Sequence, residues 1–461
     1  MRSRIRFAVR IFALALLAVM TASPLAFSQE SEAAQFLTAL IKIDTSNPPG
    51  NETRAAEYLK GILEKEGIQA QIYESAPGRG NIVARLKGNG KKRPLLLLAH
   101  LDVVGVERSK WTVDPFAAMI KDGYIYGRGS IDDKGMVAAN LEIFLRLHRE
   151  KVPLDRDVIF LAEAGEEGTP RFGIEYMIAE HWDQIDSEFA LNEGGTALME
   201  NGKLKYMGVA TTEKVPRGMT LMAHGASGHG SIPRLDNPIV HLSAAVAKLG
   251  SWQTPMRLNE TTKLLFERLA NLSEPKLANA LRNLHDESSQ KLLASEHPEL
   301  YSKLRTSIVP TIIKGGFRSN VIPAEAEATL DVRALPDEDI DRLVAQMKEL
   351  VNDPAIEIRR VAENNRPFNP PSPVSSEMFA ALEHAQQKLF PASVTLPDML
   401  TGATDGAELR AKGVKVYGIA APKTADDERR VHGNDERMPL AGLDQFVEYI
   451  DAATREVAVT K

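Results

Sequence analysis

The 461-residue sequence contains no cysteine. No disulfide bond can therefore stabilise the chain, and no thiolate is available as a nucleophile or as a metal ligand. The sequence also lacks an excess of positive charge, because its formal net charge is -6 at pH 7. Neither nucleic acid nor an anionic membrane surface is therefore indicated as a partner. With 43% hydrophobic and 26% charged residues, the composition is that of a globular protein long enough for two domains with large cores.

Residues 1–28 differ from the rest of the sequence. They contain an apolar run from Ile11 to Met20, small residues suited to cleavage at Ala26-Phe27-Ser28, and only basic charges, at Arg2, Arg4, Arg6 and Arg10. This pattern predicts a secretory signal peptide over residues 1–28 and export to the periplasm or the medium. An uncleaved membrane anchor is the alternative, but the apolar run is short and Pro24 interrupts the segment. After cleavage we expect no stable association with a membrane.

The first half of the remaining chain alternates short apolar runs with helical patterns. Leu95 to Leu98 is apolar on both faces, as expected for a buried parallel strand, and Val158 to Leu161 and Phe189 to Leu191 have the same character. Between these runs, apolar residues recur at four-residue spacing from Met136 to His148 and predict a helix. The sequence therefore predicts an α/β domain around a mostly parallel sheet.

The pattern changes near residue 215. Strands are predicted at 218–224, 308–313, 324–333 and 355–360, with helices at 238–249 and 337–351. This β-α-β-β-α-β order is ferredoxin-like, with a charged, helix-prone insertion at about 252–307. A Pro-rich stretch at 366–371 marks the return to the first domain. We therefore expect an inserted domain at residues 215–363 within a catalytic domain formed by 29–214 and 364–461.

Potential metal ligands follow three of the apolar strands. His100 and Asp102 follow the first, the pair Glu166-Glu167 the second, and Glu193 the third. A fourth group, Asp132-Asp133, lies in a turn before a predicted helix. Each group alone has an ordinary structural explanation, such as a solvated loop or a favourable helix N-terminus. Because sites in open α/β sheets form beyond the carboxyl ends of the strands, their shared position predicts one metal site.

The motifs around these residues resemble those of a known family. Its most specific pieces here are His100-Leu101-Asp102-Val103-Val104, then Asp114-Pro115-Phe116, and then the segment from Gly123 through Asp132-Asp133-Lys134-Gly135. The sequence resembles the zinc peptidases and deacylases that include aminoacylase, acetylornithine deacetylase, succinyl-diaminopimelate desuccinylase and bacterial glutamate carboxypeptidase. The resemblance covers nearly all of residues 30–455. It implies amide hydrolysis by a metal-activated water, with the smaller domain serving as lid and dimerisation domain.

The resemblance implies two divalent metal ions bound by five residues. His100 and Glu193 would bind one ion, Glu167 and His432 the other, and Asp132 would bridge the two. A set of His, Asp and Glu ligands without Cys suits zinc, with cobalt or manganese as alternatives. Two further carboxylates have other expected roles. Asp102 would accept the second ring N–H of His100, and Glu166 would act as general base.

The same resemblance implies four residues that contact the substrate. His229 would stabilise the developing oxyanion, Asn320 and Arg333 would hold the substrate, and Gly402 would offer a backbone contact. The segment Thr401-Gly402-Ala403-Thr404-Asp405 departs slightly from the family's usual Gly-Gly-Thr-Asp-Ala. In dimeric members the histidine reaches into the partner's site, so we expect a homodimer with His229 acting in trans. A guanidinium at Arg333 favours a free carboxylate on a short peptide or N-acyl amino acid.

Other functional classes fit the sequence less well. A serine hydrolase would need a Gly-x-Ser-x-Gly elbow, which does not occur. Nucleotide binding is poorly supported because Gly127-x-Gly129 lacks a third glycine three residues later. A catalytically inactive binding or dimerisation protein would lack a ligand, and all five are present. The residues leave carboxypeptidase, dipeptidase and deacylase activities open.

Overall fold

The computed structural model describes residues 30–361 and 366–460. The predicted signal peptide and the predicted domain boundary at 363–364 lie outside these ranges. The first of two principal sheets has ten strands. Its four central strands are parallel, in the spatial order Val158–Glu163, Leu95–His100, Phe189–Asn192 and Lys415–Gly418. The first three are buried throughout, as their apolar runs predicted.

The edges of this sheet are mixed. Beyond Val158–Glu163 lie the antiparallel strands Gly80–Leu86 and Ala70–Glu74. Beyond Lys415–Gly418 lie Lys203–Glu213 and Thr196–Glu200, both antiparallel to their predecessors. Two further strands are parallel to these: Val394–Leu400 beside Lys203–Glu213, and Lys423–Thr424 beside Thr196–Glu200. The parallel centre confirms the predicted α/β class, and the antiparallel pairs are confined to the flanks.

Helices cover both faces of the large sheet. Leu95 and Leu97 belong to one core, whereas Leu96 and Leu98 belong to the other, because successive strand side chains point to opposite faces. The predicted helix at Met136 to His148 is confirmed as Lys134–Arg149. The helices on its face are Glu32–Ile41, Glu52–Lys65, Lys134–Arg149, Glu377–Leu389 and Leu440–Ala458. Those on the other face are Ile174–Glu180, Trp182–Ile185 and Gly406–Ala411.

The second sheet is antiparallel and ferredoxin-like, as predicted. Its strands lie in the spatial order Ser307–Gly315, Glu325–Ala334, Met219–His224 and Ile356–Arg360, with Val215–Pro216 extending the third position. Helices Pro238–Ser251 and Ile340–Val351 pack on one face of this sheet and close a separate core. Chain order and spatial order together give the β-α-β-β-α-β arrangement inferred from the sequence.

The predicted helix-prone insertion consists of four helices. They are Glu260–Ala270, Pro275–Arg282, Glu287–Glu296 and Pro298–Ser302. The first begins with a capping box, in which the Asn259 side chain accepts the backbone N–H of Thr262 and the Thr262 hydroxyl accepts the backbone N–H of Asn259. Their leucines form a core with Leu396 of the large sheet, not with the ferredoxin-like sheet. The insertion therefore covers the flank of the catalytic domain.

The remaining elements are short. Strand Ser46–Asn47 pairs with Val103–Val104, Gly228–His229 pairs with Val321–Ile322, and Met119–Lys121, Tyr124–Tyr126 and Arg437–Pro439 form a small sheet. Single helical turns occur at Arg108–Lys110, Pro170–Phe172 and Ala425–Glu428. Within residues 30–361 and 366–460, no helix combines the length and apolar character needed to cross a membrane.

Candidate active site

The predicted ligands meet at the carboxyl edge of the parallel strands. His100 is the last residue of its strand, and Glu167 and Glu193 lie in the loops that follow the neighbouring strands. Asp132 comes from the turn before helix Lys134–Arg149, and His432 from a loop near the C-terminus. Ligand atoms of His100, Asp132 and Glu167 lie within 4.8 Å of one another, so the fold brings these three side chains together.

Asp132 lies between the two histidines. Its Oδ1 is 2.9 Å from Nε2 of His100, and its Oδ2 is 3.0 Å from Nε2 of His432. Burial opposes ionisation of Asp132, but the hydrogen bonds from the two histidines outweigh it and lower the pKa of the carboxyl. Each carboxylate oxygen therefore faces a different imidazole, which is the arrangement that a bridging ligand requires.

Each histidine also faces a second carboxylate. Nε2 of His432 is 2.9 Å from Oε1 of Glu167, and Nε2 of His100 is 3.7 Å from Oε1 of Glu193. Asp132 and then Glu167 accept hydrogen bonds from the imidazolium of His432 and raise its pKa to about 10. Two ligands each about 2.1 Å from a tetrahedral ion lie about 3.4 Å apart, so these separations fit two metal positions that share Asp132.

Asp102 fixes the base of the site. Its carboxylate is fully buried and accepts the backbone N–H groups of Glu166 and Glu167, each at 3.1 Å, and the Asn47 amide at 2.7 Å. Nδ1 of His100 lies 3.0 Å from the main-chain oxygen of Asp102 and 3.5 Å from its carboxylate. The nearer acceptor for the second ring nitrogen is thus the carbonyl, while the carboxylate holds the loop that carries the two glutamates.

Glu436 holds the turn at Asp132 from the other side. Its buried carboxylate accepts the backbone N–H of Ile131 at 2.8 Å and of Asp132 at 3.2 Å, and it pairs with Arg128 at 2.6 Å. Glu436 follows His432 by four residues in sequence, so one segment supplies a histidine and also positions the bridging carboxylate. In the sequence, this segment predicted a functional role for His432 alone. The role of Glu436 was not predicted, because an acidic residue in a polar loop normally faces solvent.

Glu166 stands beside the ligand cluster in a different environment. Its carboxylate contacts Nη2 of Arg366 at 3.1 Å, and Nη1 of Arg366 donates to Asp405 at 2.7 Å and Glu408 at 2.9 Å. Burial, and then the charge of Asp405, raise the pKa of Glu166, although Arg366 opposes the shift. This buried network was missed in the sequence, because Arg366 opens the Pro-rich stretch that reads as a linker.

The predicted substrate contacts fall into two groups. Gly402 lines the cavity of about 340 Å³ that contains Asp132, Glu166 and Glu193. Arg333 lines an adjoining polar recess of about 440 Å³ together with Glu166, Glu167 and Arg171. Both residues therefore lie where a substrate bound at the ligand cluster could reach them.

His229 and Asn320 lie together on the inserted domain, away from this chain's own cluster. The strand Gly228–His229 pairs with Val321–Ile322, and the carbonyl of Asn320 accepts the N–H of Gly230 at 2.8 Å. The His229 side chain is exposed and its Nδ1 lies 2.6 Å from the Ser231 hydroxyl. Neither residue lines the ligand cavity or the polar recess.

Comparison with known proteins gives one consistent family. The profile of peptidase family M20/M25/M40 matches residues 96–456. The human N-fatty-acyl-amino acid synthase/hydrolase PM20D1 is 29% identical over 464 residues, covering 93% of this chain and 88% of the relative. A probable carboxypeptidase S-like 2 from Dictyostelium discoideum is 30% identical over 404 residues, covering 85% and 77%. A metallo-carboxypeptidase of the M20 family from Sulfolobus solfataricus has the same fold, with a TM-score of 0.70, 20% identity and coverage of 93% and 99%.

Proposed function

This chain belongs to the peptidase family M20/M25/M40, and from that membership and the geometry of its site we propose a two-metal hydrolase that cleaves amide bonds of short peptides or N-acyl amino acids with a free carboxylate. The observation that carries the proposal is Asp132, whose two oxygens face His100 and His432. The names of the human and Dictyostelium relatives support N-acyl amino acids and peptides, respectively, as substrate types.

The proposed ligands are His100 and Glu193 for one ion, Glu167 and His432 for the other, and Asp132 for both. Zinc is the proposed metal, with cobalt and manganese as alternatives, because the donors are imidazoles and carboxylates without a thiolate. When bound, the ions lower the pKa of a water molecule toward about 7 and polarise the scissile carbonyl.

The chain's own residues supply the proton transfers and the binding contacts. Glu166 lines the cavity, and its carboxylate pairs with Arg366. Because of this position beside the bound substrate, we assign it the general base that takes a proton from the attacking water and delivers it to the departing amine. Arg333 is proposed to bind the substrate's carboxylate in the polar recess. Gly402 is proposed to contact the substrate through its backbone in the cavity wall.

A homodimer is proposed as the active form, with His229 acting in the partner's site. Support comes from apolar side chains exposed on the edge strand Ser307–Gly315, where Val309, Ile312 and Ile313 are 51%, 48% and 59% exposed. An exposed apolar edge of this kind is typical of a surface that pairs with another chain. Export is proposed from residues 1–28, and a periplasmic or secreted location follows from it.

The test combines metal analysis with a substrate screen. The purified protein should contain about two ions per chain, and activity on dipeptides and N-acyl amino acids should disappear on chelation and return with zinc, cobalt or manganese. Full activity after exhaustive chelation would exclude the proposed function. Amidating the substrate's carboxylate should reduce the wild-type rate strongly but change Arg333→Ala little, and equal sensitivity would remove Arg333 from the binding site.

A further inference from the structure

An apolar cavity of about 760 Å³ lies between the helical insertion and the flank of the large sheet. One wall consists of leucines from the insertion, including Leu265, Leu269 and Leu277, and the other consists of sheet residues such as Tyr206 and Leu396. The volume is within the range of about 300–1,000 Å³ that accommodates small-molecule ligands. Leucine side chains form no hydrogen bonds, and they stabilise an apolar ligand by removing its surface from water. The cavity therefore suits a hydrocarbon group.

This cavity adjoins the site that contains the ligand cluster. Thr196, Leu400 and Glu428 line both the apolar cavity and the cavity around Asp132 and Glu193. Thr196 and Glu193 are three residues apart on the segment that leaves the central strand Phe189–Asn192. The two cavities therefore lie side by side at these three residues.

The polar recess, which adjoins the cluster at other residues, has the reverse character. It is lined by Arg171, Arg333 and Arg366, and it shares Glu166 and Glu167 with the cluster. The site thus adjoins both a recess that carries guanidinium groups and a cavity that carries leucines. An elongated substrate with an anionic end and an apolar end would be bound in a single orientation.

The cations around the apolar cavity are paired with carboxylates. Lys276 pairs with Glu296 at 2.6 Å, Lys205 pairs with Glu200 at 3.2 Å, and Lys303 pairs with Asp398. An anionic group would have to compete with these carboxylates, whereas a hydrocarbon chain would not. The charges at the cavity therefore favour the apolar end of a substrate over its carboxylate.

We propose that this cavity binds the acyl chain of long-chain N-acyl amino acids, with the amino-acid carboxylate in the arginine recess and the amide at the cluster. The proposal rests on the proposed function and assigns it a substrate class. Water adds to the amide carbonyl carbon and the C–N bond breaks. The products are a long-chain carboxylate and the amino acid, whose nitrogen receives the water proton through Glu166.

The first test is a chain-length series of N-acylglycines from acetyl to palmitoyl, used below their aggregation concentrations with the metal-loaded enzyme. Each methylene that enters the cavity should raise kcat/KM about three- to four-fold, until the cavity is filled. A second series keeps the acetyl group and enlarges the amino-acid side chain. A steeper rise in that second series, or a flat acyl series, would overturn the proposal.

Failure of the cavity assignment can be distinguished from failure of the proposed function. If N-acetyl amino acids or dipeptides are cleaved in a metal-dependent way but long acyl chains give no advantage, the apolar cavity has another role and the proposed function stands. If no amide substrate is cleaved by the metal-loaded protein, the proposed function itself fails.

Variants locate the effect in the cavity. Leu269→Trp fills part of the cavity from helix Glu260–Ala270 and should lower kcat/KM for the palmitoyl substrate at least tenfold, leaving the acetyl substrate within twofold. Leu264→Trp is the matched control, because Leu264 is a half-buried leucine of the same helix that does not line the cavity. Equal effects of the two variants on the palmitoyl substrate would overturn the assignment.

Product inhibition gives a readout on the wild-type protein, independent of how the variants fold. Palmitate should inhibit hydrolysis of an N-acetyl substrate at a concentration at least a hundredfold lower than hexanoate, because the longer chain occupies the leucine-lined cavity. Similar inhibition by both acids would mean that the cavity does not receive the acyl group.

Discussion

Glu166 and Glu167 are consecutive in sequence but have different partners in the structure. The carboxylate of Glu167 is 2.9 Å from His432, whereas that of Glu166 is 3.1 Å from Arg366. Both backbone N–H groups donate to Asp102, which fixes the turn that separates the two side chains. Glu167 is therefore the proposed metal ligand, and its neighbour Glu166 is the proposed base.

Glu166→Gln tests this distinction. The amide keeps the size of the side chain but cannot accept a proton, so kcat should fall by about 10²–10⁴. The metal content should remain near that of the wild type, because Glu166 is not a proposed ligand. Loss of metal with the activity would show that the roles of the two glutamates are exchanged.

Lys214 provides a residue-scale prediction about pH. It is fully buried, and burial, assisted by the charge of Arg333, lowers its pKa from 10.5 to about 7. The folded-state pKa is thus below the unfolded one, so between these values the unfolded chain holds the extra proton. The contribution of Lys214 to the free energy of unfolding must therefore rise as the pH rises above 7.

The unfolding free energies of the wild type and Lys214→Met are compared at each pH. All other titratable groups are the same in the two proteins, so the difference reports the protonation of Lys214. The difference in unfolding free energy, measured by urea denaturation, should change in favour of the wild type by about 2 kcal/mol from pH 7 to pH 9. A difference that stays constant over this range would mean that Lys214 remains charged in the folded protein.

At the scale of elements, the extended segment that begins at Arg366 connects the two domains and also completes the site. Arg366 is 8% exposed and pairs with three carboxylates, those of Glu166, Asp405 and Glu408. Removing a buried charge that has several partners leaves those partners uncompensated, which is far more destabilising than losing an exposed ion pair. The segment is therefore part of the catalytic domain's interior.

Arg366→Gln should lower the free energy of unfolding by about 3–5 kcal/mol. The matched control is Arg257→Gln, because Arg257 also pairs with two carboxylates, Asp337 and Glu338, but is 39% exposed. Its loss should cost less than about 1 kcal/mol. Similar losses in the two variants, measured by chemical denaturation, would contradict the interpretation of the Arg366 network.

The elements predicted best from the sequence are those whose pattern is unambiguous. The central parallel strands are apolar on both faces, and the ferredoxin-like unit alternates strand and helix in a regular order. Val394–Leu400 was not predicted, because Pro397 and Asp398 are unfavourable in a strand; the structure places it at the side of Lys203–Glu213 as a parallel partner. The docking of the insertion on the large sheet also depends on tertiary contacts that no local pattern contains.

The residues of the candidate site also divide into those that a local sequence pattern predicts and those that depend on tertiary contacts. Residues at strand ends and in family-like motifs, such as His100 and Asp132, could be predicted to lie together. Arg366 and Glu436 could not, because each is a single charged residue in a loop whose burial becomes visible only once the fold brings its partners close. The proposed ligands and Asp102 were therefore accessible from the sequence, whereas the supporting contacts of Arg366 and Glu436 were not.

At the scale of the whole molecule, the inserted domain carries His229, which lines neither the ligand cavity nor the polar recess of its own chain. The exposed apolar edge strand and the exposed Phe317, at 83%, lie on that same domain. If two such edges pair across a two-fold axis, each subunit both donates and receives a histidine. His229 would then act in the partner's site.

Mixing two inactive variants tests this arrangement. His229→Ala and Glu166→Gln, combined in equal amounts under conditions of subunit exchange, should recover roughly a quarter of the wild-type activity. Half of the dimers are mixed, and each mixed dimer has one intact site of two. His224→Ala is the control, because His224 is also exposed on the inserted domain but has no proposed role, and it should stay active alone. No recovery despite demonstrated exchange would assign His229 to its own chain or to no role.

The insertion of one domain into another also has a consequence for the order of folding. The ferredoxin-like domain lies within one stretch of sequence that only the helical insertion interrupts. The large sheet, in contrast, needs strand Lys415–Gly418, and Glu167 meets His432 across 265 residues. A chain that emerges from its N-terminus can complete the inner domain while the outer one is unfinished, because local contacts close with less loss of entropy than distant ones. The two halves of the cluster meet only when the last part of the chain arrives. Hydrolytic capacity therefore arises late, after the surface proposed for dimerisation has formed.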